Sequence, residues 1–138
     1  KKGMIMKVAI VANITYTNRK KIKEFIFNLK QKFGKELVVV SGGQKDGADG
    51  YAKKYSLEFN VNYEEYPPQH YNHNIHCVLD ARNYNKPYYV SNYFKRNKQI
   101  AERCDKMVAF VTDGRITSGT EHVIGCAKRL EKKYVIMD

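Results

Sequence analysis

The sequence predicts a single α/β domain of Rossmann type: a mostly parallel, five-stranded sheet with helices on both faces. Short apolar runs, typical of strands buried on both faces, alternate with longer segments in which apolar residues recur at helical spacing. The order is β-α-β-α-β-loop-α-β-α-β, and right-handed crossovers in that order give a parallel sheet covered on both sides. A length of 138 residues fits one domain over residues 1–138.

The first half of the chain predicts three strands and two helices. They are residues 4–12 (strand), 22–33 (helix), 37–40 (strand), 48–59 (helix) and 61–66 (strand). Thr17 or Asn18 can cap the first helix and Gly34 can end it, because short polar side chains favour helix starts and glycine favours helix ends. Two prolines at 67 and 68 stop the third strand.

The second half begins with a polar stretch at about residues 69–90, rich in Asn, Tyr and His, which we interpret as a loop insertion. A loop of that length in a compact domain usually carries function. The remaining elements are residues 94–104 (helix), 107–111 (strand), 118–130 (helix) and 134–137 (strand).

Composition limits the protein classes. No apolar run approaches the roughly 20 residues of a membrane span, so we expect no membrane partner and a cytoplasmic location. Three cysteines without a CxxC pair argue against a disulfide framework. The formal charge of +11 favours phosphate-bearing partners, either nucleotides or nucleic acid, although a merely soluble basic surface would explain it equally well.

A first glycine-containing turn, Ser41-Gly42-Gly43-Gln44-Lys45-Asp46-Gly47-Ala48-Asp49, follows one strand and opens a helix. Glycine lets a backbone approach a ligand closely, and free N–H groups at a helix start favour an anion. The turn matches neither the Walker loop nor the dinucleotide fingerprint GxGxxG. The structural alternative is a tight turn with Asp46 as the helix N-cap.

A second such turn, residues 112–121, also lies between a strand and a helix. Ser118-x-x-Glu121 can be interpreted as a capping box, which is a purely structural device. However, two glycine-containing turns at one sheet edge, where open α/β sheets bind ligands, favour a ligand site. Residues 12–17, after the first strand, reach the same edge.

These motifs together resemble the SLOG superfamily, named for the DNA-processing protein DprA/SMF and the LOG nucleosidases. The resemblance rests on VVVSGG…GAD, on Arg96-Asn97 and on CDKMVAFVTDGRITSGT, and spans nearly the whole chain except residues 69–90. Its small YspA/YpsA-like branch, found in bacteria and phages, is the most similar. The resemblance implies a Rossmann-like fold that binds or senses nucleotides or nucleotide-derived ligands, in the host cytoplasm if phage-encoded. It also implies a homo-oligomer.

The predicted ligand-binding set combines the matched motif positions with polar neighbours at the same edge. The residues are Asn13, Ser41, Gly42, Gly43, Gly47, Asp49, Arg96, Asn97, Gly114, Ser118, Gly119 and Thr120. The chain departs from the branch after the first strand, where Ala12-Asn13-Ile14 replaces the usual Gly-Ser-Arg, and its first turn is one residue longer.

Catalysis is the weaker interpretation. Cleavage of an N-glycosidic bond needs a carboxylate near the ribose, and Val123 stands where the nucleosidase pattern places its glutamate. Glu121 and Asp113 are the remaining catalytic candidates. We therefore expect binding without catalysis and no resident cofactor. The alternatives are a nucleotide N-glycosidase and a single-stranded-DNA-binding protein similar to DprA.

The predicted loop adds two further groups. His70, His73, His76 and Cys77 are zinc-type donors, but their spacing matches no recognised zinc motif, so we expect no metal site. From Lys86 at the end of this loop to Arg96, aromatic residues alternate with basic ones and can stack on a base while cations meet phosphates. The base-stacking candidates are Tyr88, Tyr89 and Tyr93.

Overall fold

A computed structural model describes residues 4–138, so the first three residues of the predicted domain lie outside the described part. It contains five strands and four helices, close to the predicted positions. The strands are β1 (Met6–Ala12), β2 (Leu37–Ser41), β3 (Asn62–Glu65), β4 (Lys106–Phe110) and β5 (Lys133–Met137). The helices are α1 (Arg19–Phe33), α2 (Gly47–Glu58), α3 (Ser91–Arg103) and α4 (Ser118–Arg129).

All five strands pair in parallel, in the order β3-β2-β1-β4-β5. This confirms the predicted fold class. β1 lies at the centre, and Val8 pairs with Val39 of β2 on one side and with Lys106 of β4 on the other. The chain crosses from one face of the sheet to the other between these neighbours, so a crevice is expected beyond the carboxyl ends of β1 and β4.

Two hydrophobic cores cover the two faces, because successive side chains of a strand point in opposite directions. Ile10 and Phe110 are fully buried with α1 and α2 on one face. Ala9 and Met107, also fully buried, pack with α3 and α4 on the other face. In residues 4–138, no helix combines the length and apolarity that crossing a bilayer requires.

The predicted ends of α1 are confirmed, whereas the predicted capping box of α4 is wrong. Asn18 Oδ1 accepts a hydrogen bond from Lys21 N at 3.2 Å, and Gly34, with φ of 58°, ends α1.

In α4 the N-cap is Thr117 rather than Ser118. The backbone N–H of Glu121 donates to Thr117 O at 2.8 Å, which is the ordinary first bond of a helix that starts one residue earlier than the motif implies.

The 69–90 segment is irregular apart from one short 3₁₀ turn, Ala81–Asn83. Backbone hydrogen bonds tie it to the end of β3: Glu65 N donates to His76 O at 3.1 Å, and Val78 N donates to Glu65 O at 3.3 Å. The loop therefore extends the β3 edge, next to the first glycine turn.

Candidate functional site

A cleft of about 680 Å³ lies at the carboxyl ends of β1 and β4. Its walls come from the turn after β1, the first glycine turn, one side of α3 and the start of α4. The volume falls within the range of small-molecule sites, and the position is the crevice that this strand order creates.

Two helix N-termini open into this cleft. Gly47 and Ala48 of α2 and Ser118 and Gly119 of α4 line it. The first N–H groups of a helix lack intrahelical acceptors, and the helix dipole gives that end a partial positive charge. The cleft therefore offers two converging sets of donors suited to an anion.

Arg96 adds a full positive charge to the same cleft. Its Nη1 donates to Gly42 O at 2.7 Å and its Nε donates to Asn97 Oδ1 at 3.1 Å, so the guanidinium is held by two hydrogen bonds. Asn97 Nδ2 lies 3.2 Å from His122 Nδ1. These bonds join α3 to the first glycine turn and to α4. The predicted Arg96-Asn97 pair thus stands between the two turns.

The neighbouring glycines of the first turn serve different purposes. A Cβ on Gly42 would lie 2.1 Å from Arg96 Nη1, so the absent side chain leaves room for the guanidinium. Gly43, with φ of +72°, points the other way: a Cβ there would lie 2.9 Å from Glu65 Cδ and 3.2 Å from Pro67 Cγ. Gly43 is absent from the cleft lining, and the structure gives it a packing role.

Asp49 lines the cleft but its carboxylate already has partners. Oδ2 accepts a hydrogen bond from Gln44 N at 3.1 Å across the turn. Burial raises the pKa of Asp49, opposed by the charge of Arg96 and by backbone hydrogen bonds from Gln44 and Gly42. The carboxylate fixes the shape of the turn.

Asn13 lines the cleft and holds the start of α4, whereas Ser41 lies behind the lining. The Nδ2 of Asn13 donates to Arg115 O at 2.7 Å, and its Oδ1 accepts from Thr117 N at 3.1 Å, which fixes the start of α4. Ser41 is fully buried, absent from the cleft lining, and its Oγ lies 2.6 Å from Tyr63 Oη.

Gly114 and the two catalytic candidates, Asp113 and Glu121, also lie outside the cleft lining. Asp113 N and Gly114 N donate to the Asp138 carboxylate at 3.1 and 2.6 Å, which places this part of the turn at the end of β5. Glu121 is exposed. Val123, 3 % exposed, lines the cleft instead, so an apolar side chain occupies the position that the nucleosidase pattern gives to an acid.

Of the three tyrosines, Tyr93 lines the cleft, whereas Tyr88 and Tyr89 are each 63 % exposed. The His70 ring packs edge-on against Tyr88, at 4.8 Å between ring centroids, and against Tyr93, at 5.2 Å. Tyr71 contacts the same imidazole. The predicted loop therefore brings an aromatic cluster behind the Tyr93 wall of the cleft.

The four zinc-type candidates do not converge. His73 packs on Tyr84, His76 packs on Tyr63, and the Cys77 thiol accepts a hydrogen bond from Asn74 N. Within the part of the chain that the structure describes, no group of three His, Cys, Asp or Glu side chains is arranged to hold a metal ion.

Glu65 is a supporting residue that sequence reasoning missed. Its side chain is almost fully buried beside Gly43 and receives hydrogen bonds from Tyr63 Oη at 2.9 Å and from Asn74 Nδ2. Lys53 Nζ lies 3.5 Å from Glu65 Oε1. The alternation of β3 could have indicated that Tyr63 and Glu65 share a face, but nothing local indicated that this face is buried.

No family model matches the chain, and no curated protein matches it. Among solved structures, the fold is similar to the molybdenum cofactor binding protein of the phototrophic bacterium Rippkaea orientalis, with a TM-score of 0.74, 13% identity, and coverage of 97% of this chain and 77% of that one. The molybdenum cofactor carrier protein of Chlamydomonas reinhardtii gives a TM-score of 0.62 at 14% identity, over 96% of this chain and 76% of that one. At such identities the likeness shows the fold alone.

Proposed function

We propose that this protein binds a phosphorylated nucleotide or nucleotide-derived molecule in the cleft between β1 and β4, and that it acts as a binding or sensing protein. The observation that carries the proposal is the convergence of two helix N-termini and the Arg96 guanidinium on one cleft. Fixed donors and a fixed cation, placed before any ligand arrives, suit a phosphate group. Two proteins of similar fold are named for binding or carrying a molybdenum cofactor, which supports a small ligand here.

The remaining walls suit the organic part of such a ligand. Ile14, Ile100 and Val123 give the cleft apolar surface, and the Tyr93 ring offers an aromatic wall. We propose that the phosphate lies at the starts of α2 and α4 and that the base or equivalent ring lies toward Tyr93.

We propose binding without hydrolysis because no carboxylate in the cleft lining stands where the nucleosidase pattern places its acid. A nucleotide N-glycosidase needs an acid held against the ribose. Val123 cannot supply one, and the Asp49 carboxylate is engaged by the backbone of its own turn. Asp46 is the other carboxylate in the cleft lining, at the N-cap of α2. The N-glycosidase alternative therefore lacks an acid at the position where the nucleosidase pattern places it, and the single-stranded-DNA alternative would share the same phosphate contacts in the cleft.

The test compares ligands with and without a phosphate. Isothermal titration calorimetry with nucleoside 5′-monophosphates and their parent nucleosides should show binding that depends on the phosphate. Arg96→Ala should weaken nucleotide binding by about 1.5–3 kcal/mol, roughly 10- to 150-fold, because it removes a charge-assisted contact. Lys98→Ala, an exposed cation on the same helix, is the matched control and should change affinity less than about 2-fold.

Two outcomes would contradict the proposal. Equal affinity for nucleosides and nucleotides would show that no phosphate site exists. Equal losses in Arg96→Ala and Lys98→Ala would show that binding follows overall charge rather than the cleft.

A further inference from the structure

The outer surface of α1 is strongly basic. Six of its 15 residues are Lys or Arg, and one, Glu24, is acidic. Arg19, Lys20 and Lys23 are exposed, and within residues 4–138 no carboxylate lies within 4 Å of their charged groups to form an ion pair. These cations are therefore available to an external anion.

Aromatic rings form the floor of a groove beside these cations. Phe27 is 46 % exposed and meets Phe59 edge-on at 5.7 Å between ring centroids. Phe59 in turn stacks on Tyr55 at 6.1 Å, and the ammonium groups of Lys23 and Lys54 lie 5.6 and 5.4 Å from the Tyr55 ring centroid.

This α1–α2 groove has a volume of about 680 Å³ and shares no lining residue with the cleft at the carboxyl edge of the sheet. Arg19, Lys20 and Lys23 stand beside the floor made by Phe27, Tyr55 and Phe59, and Glu24 is the single carboxylate among the lining residues. The groove is thus a second concave surface with its own chemistry.

We infer that the α1–α2 groove binds single-stranded nucleic acid, with the phosphate backbone along the three cations and an unpaired base on Phe27. Cations beside accessible aromatic faces are what single strands require, because their bases are free to stack and every base has a π-face. A duplex hides those faces. A bilayer surface is less suited, because Phe27 is the one markedly exposed apolar side chain among the groove's lining residues.

Fluorescence anisotropy with a labelled oligo(dT) or oligo(U) of about 12 nucleotides tests the inference. Three phosphate contacts predict a salt slope of about −2, so affinity should fall roughly 20-fold between 50 and 200 mM salt. The double variant Lys20→Glu/Lys23→Glu should weaken binding at least about 10-fold. Phe27→Ala should weaken it roughly 5- to 100-fold through lost stacking, whereas Phe27→Tyr should retain it.

Controls separate this groove from diffuse charge and from the cleft. Lys95→Glu/Lys98→Glu makes the same charge change on exposed positions of α3 and should leave most of the affinity intact. Mononucleotide binding in the cleft should persist in every groove variant, which also reports that each variant folds. Only this folding control rests on the proposed function; the oligonucleotide measurements do not depend on the nature of the cleft's ligand.

Several results would overturn the inference. Equal losses in the α1 and α3 double variants would show diffuse electrostatic binding. Loss of oligonucleotide binding in Arg96→Ala, or competition by mononucleotide, would place the strand in the cleft. Equal affinity for a duplex, or binding to anionic phosphatidylserine vesicles without binding to the oligonucleotide, would also exclude it.

Discussion

Substituting Gly42 by alanine tests how the first glycine turn holds the Arg96 guanidinium in the cleft. The new Cβ would lie 2.1 Å from Arg96 Nη1 and 2.8 Å from Asp49 Oδ2, distances that force a rearrangement. The backbone of Gly42 is not in the left-handed region, so alanine is tolerated there, and the nearest atom ends a long side chain that can swing away. We expect Gly42→Ala to fold with its guanidinium displaced from the turn.

The size of the effect follows from the hydrogen bond that this displacement breaks. The bond from Arg96 Nη1 to Gly42 O, at 2.7 Å, is removed, which should lower the free energy of unfolding by about 0.5–1.5 kcal/mol. Displacing the charge from the proposed phosphate position should weaken nucleotide binding by about 1.5–3 kcal/mol, or roughly 10- to 150-fold. The double variant with Arg96→Ala should lose little more than either single variant, because both act on one interaction.

Calorimetric titration with a nucleoside 5′-monophosphate measures the affinities, and urea denaturation measures stability. Gly125→Ala is the control, because its Cβ would meet only Arg129 Nη1 at an ordinary 3.7 Å inside α4. It should bind normally and gain up to about 1 kcal/mol of stability from improved helix propensity. Wild-type affinity in Gly42→Ala, or fully additive losses in the double variant, would refute the reasoning.

Further predictions concern the turn and the chemistry of the cleft. Gly43→Ala should destabilise the fold by about 1–3 kcal/mol in urea denaturation, because φ is +72° and the buried Glu65 stands 2.9 Å from the new Cβ; a loss below about 0.5 kcal/mol would contradict the packing role. Burial raises the pKa of Asp49 above 3.8, so the folded state keeps this proton at higher pH than the unfolded chain does, and the carboxylate destabilises the fold as pH rises. The free energy of unfolding of wild type minus that of Asp49→Asn should therefore fall as the pH rises above about 4, and a difference that does not change with pH would count against this. Chromatography should detect no free base after incubation with nucleoside 5′-monophosphates, because Val123 replaces the acid, and Glu121→Gln should bind as wild type does. Base release that Glu121→Gln abolishes would establish the N-glycosidase instead.

Local patterns were enough to predict the elements of this fold. The helical recurrence of apolar residues in α1, with Asn18 before it and Gly34 after it, depends on interactions within one or two turns, and both ends lie where predicted. The apolar runs of β1, β2 and β4 are likewise strong, because these strands are covered on both faces.

Long-range contacts decide what the patterns could not. The sequence does not distinguish the roles of the adjacent glycines at 42 and 43. In the structure Gly42 faces Arg96 of α3, whereas Gly43 faces Glu65 of β3. The start of α4 is set by Asn13, which accepts from the backbone N–H of Thr117 across a separation of 104 residues. No window of neighbouring residues contains that information, and for this reason the capping motif predicted the wrong register.

The central place of β1 has a consequence for synthesis of the chain on the ribosome. Of the five strands, β1 emerges before the others, and its partner β4 follows about 100 residues later. Lys7 N of β1 also donates to Asp105 Oδ2, just before β4, at 2.8 Å. At 5–20 residues per second, roughly 5 to 20 seconds pass before that edge of β1 can be covered. The nascent domain therefore exposes one edge of β1 until β4 has been made. The cleft is formed by residues after β1 and at the start of α4. A ligand that binds there can therefore stabilise only the complete domain and not its partly synthesised fragments.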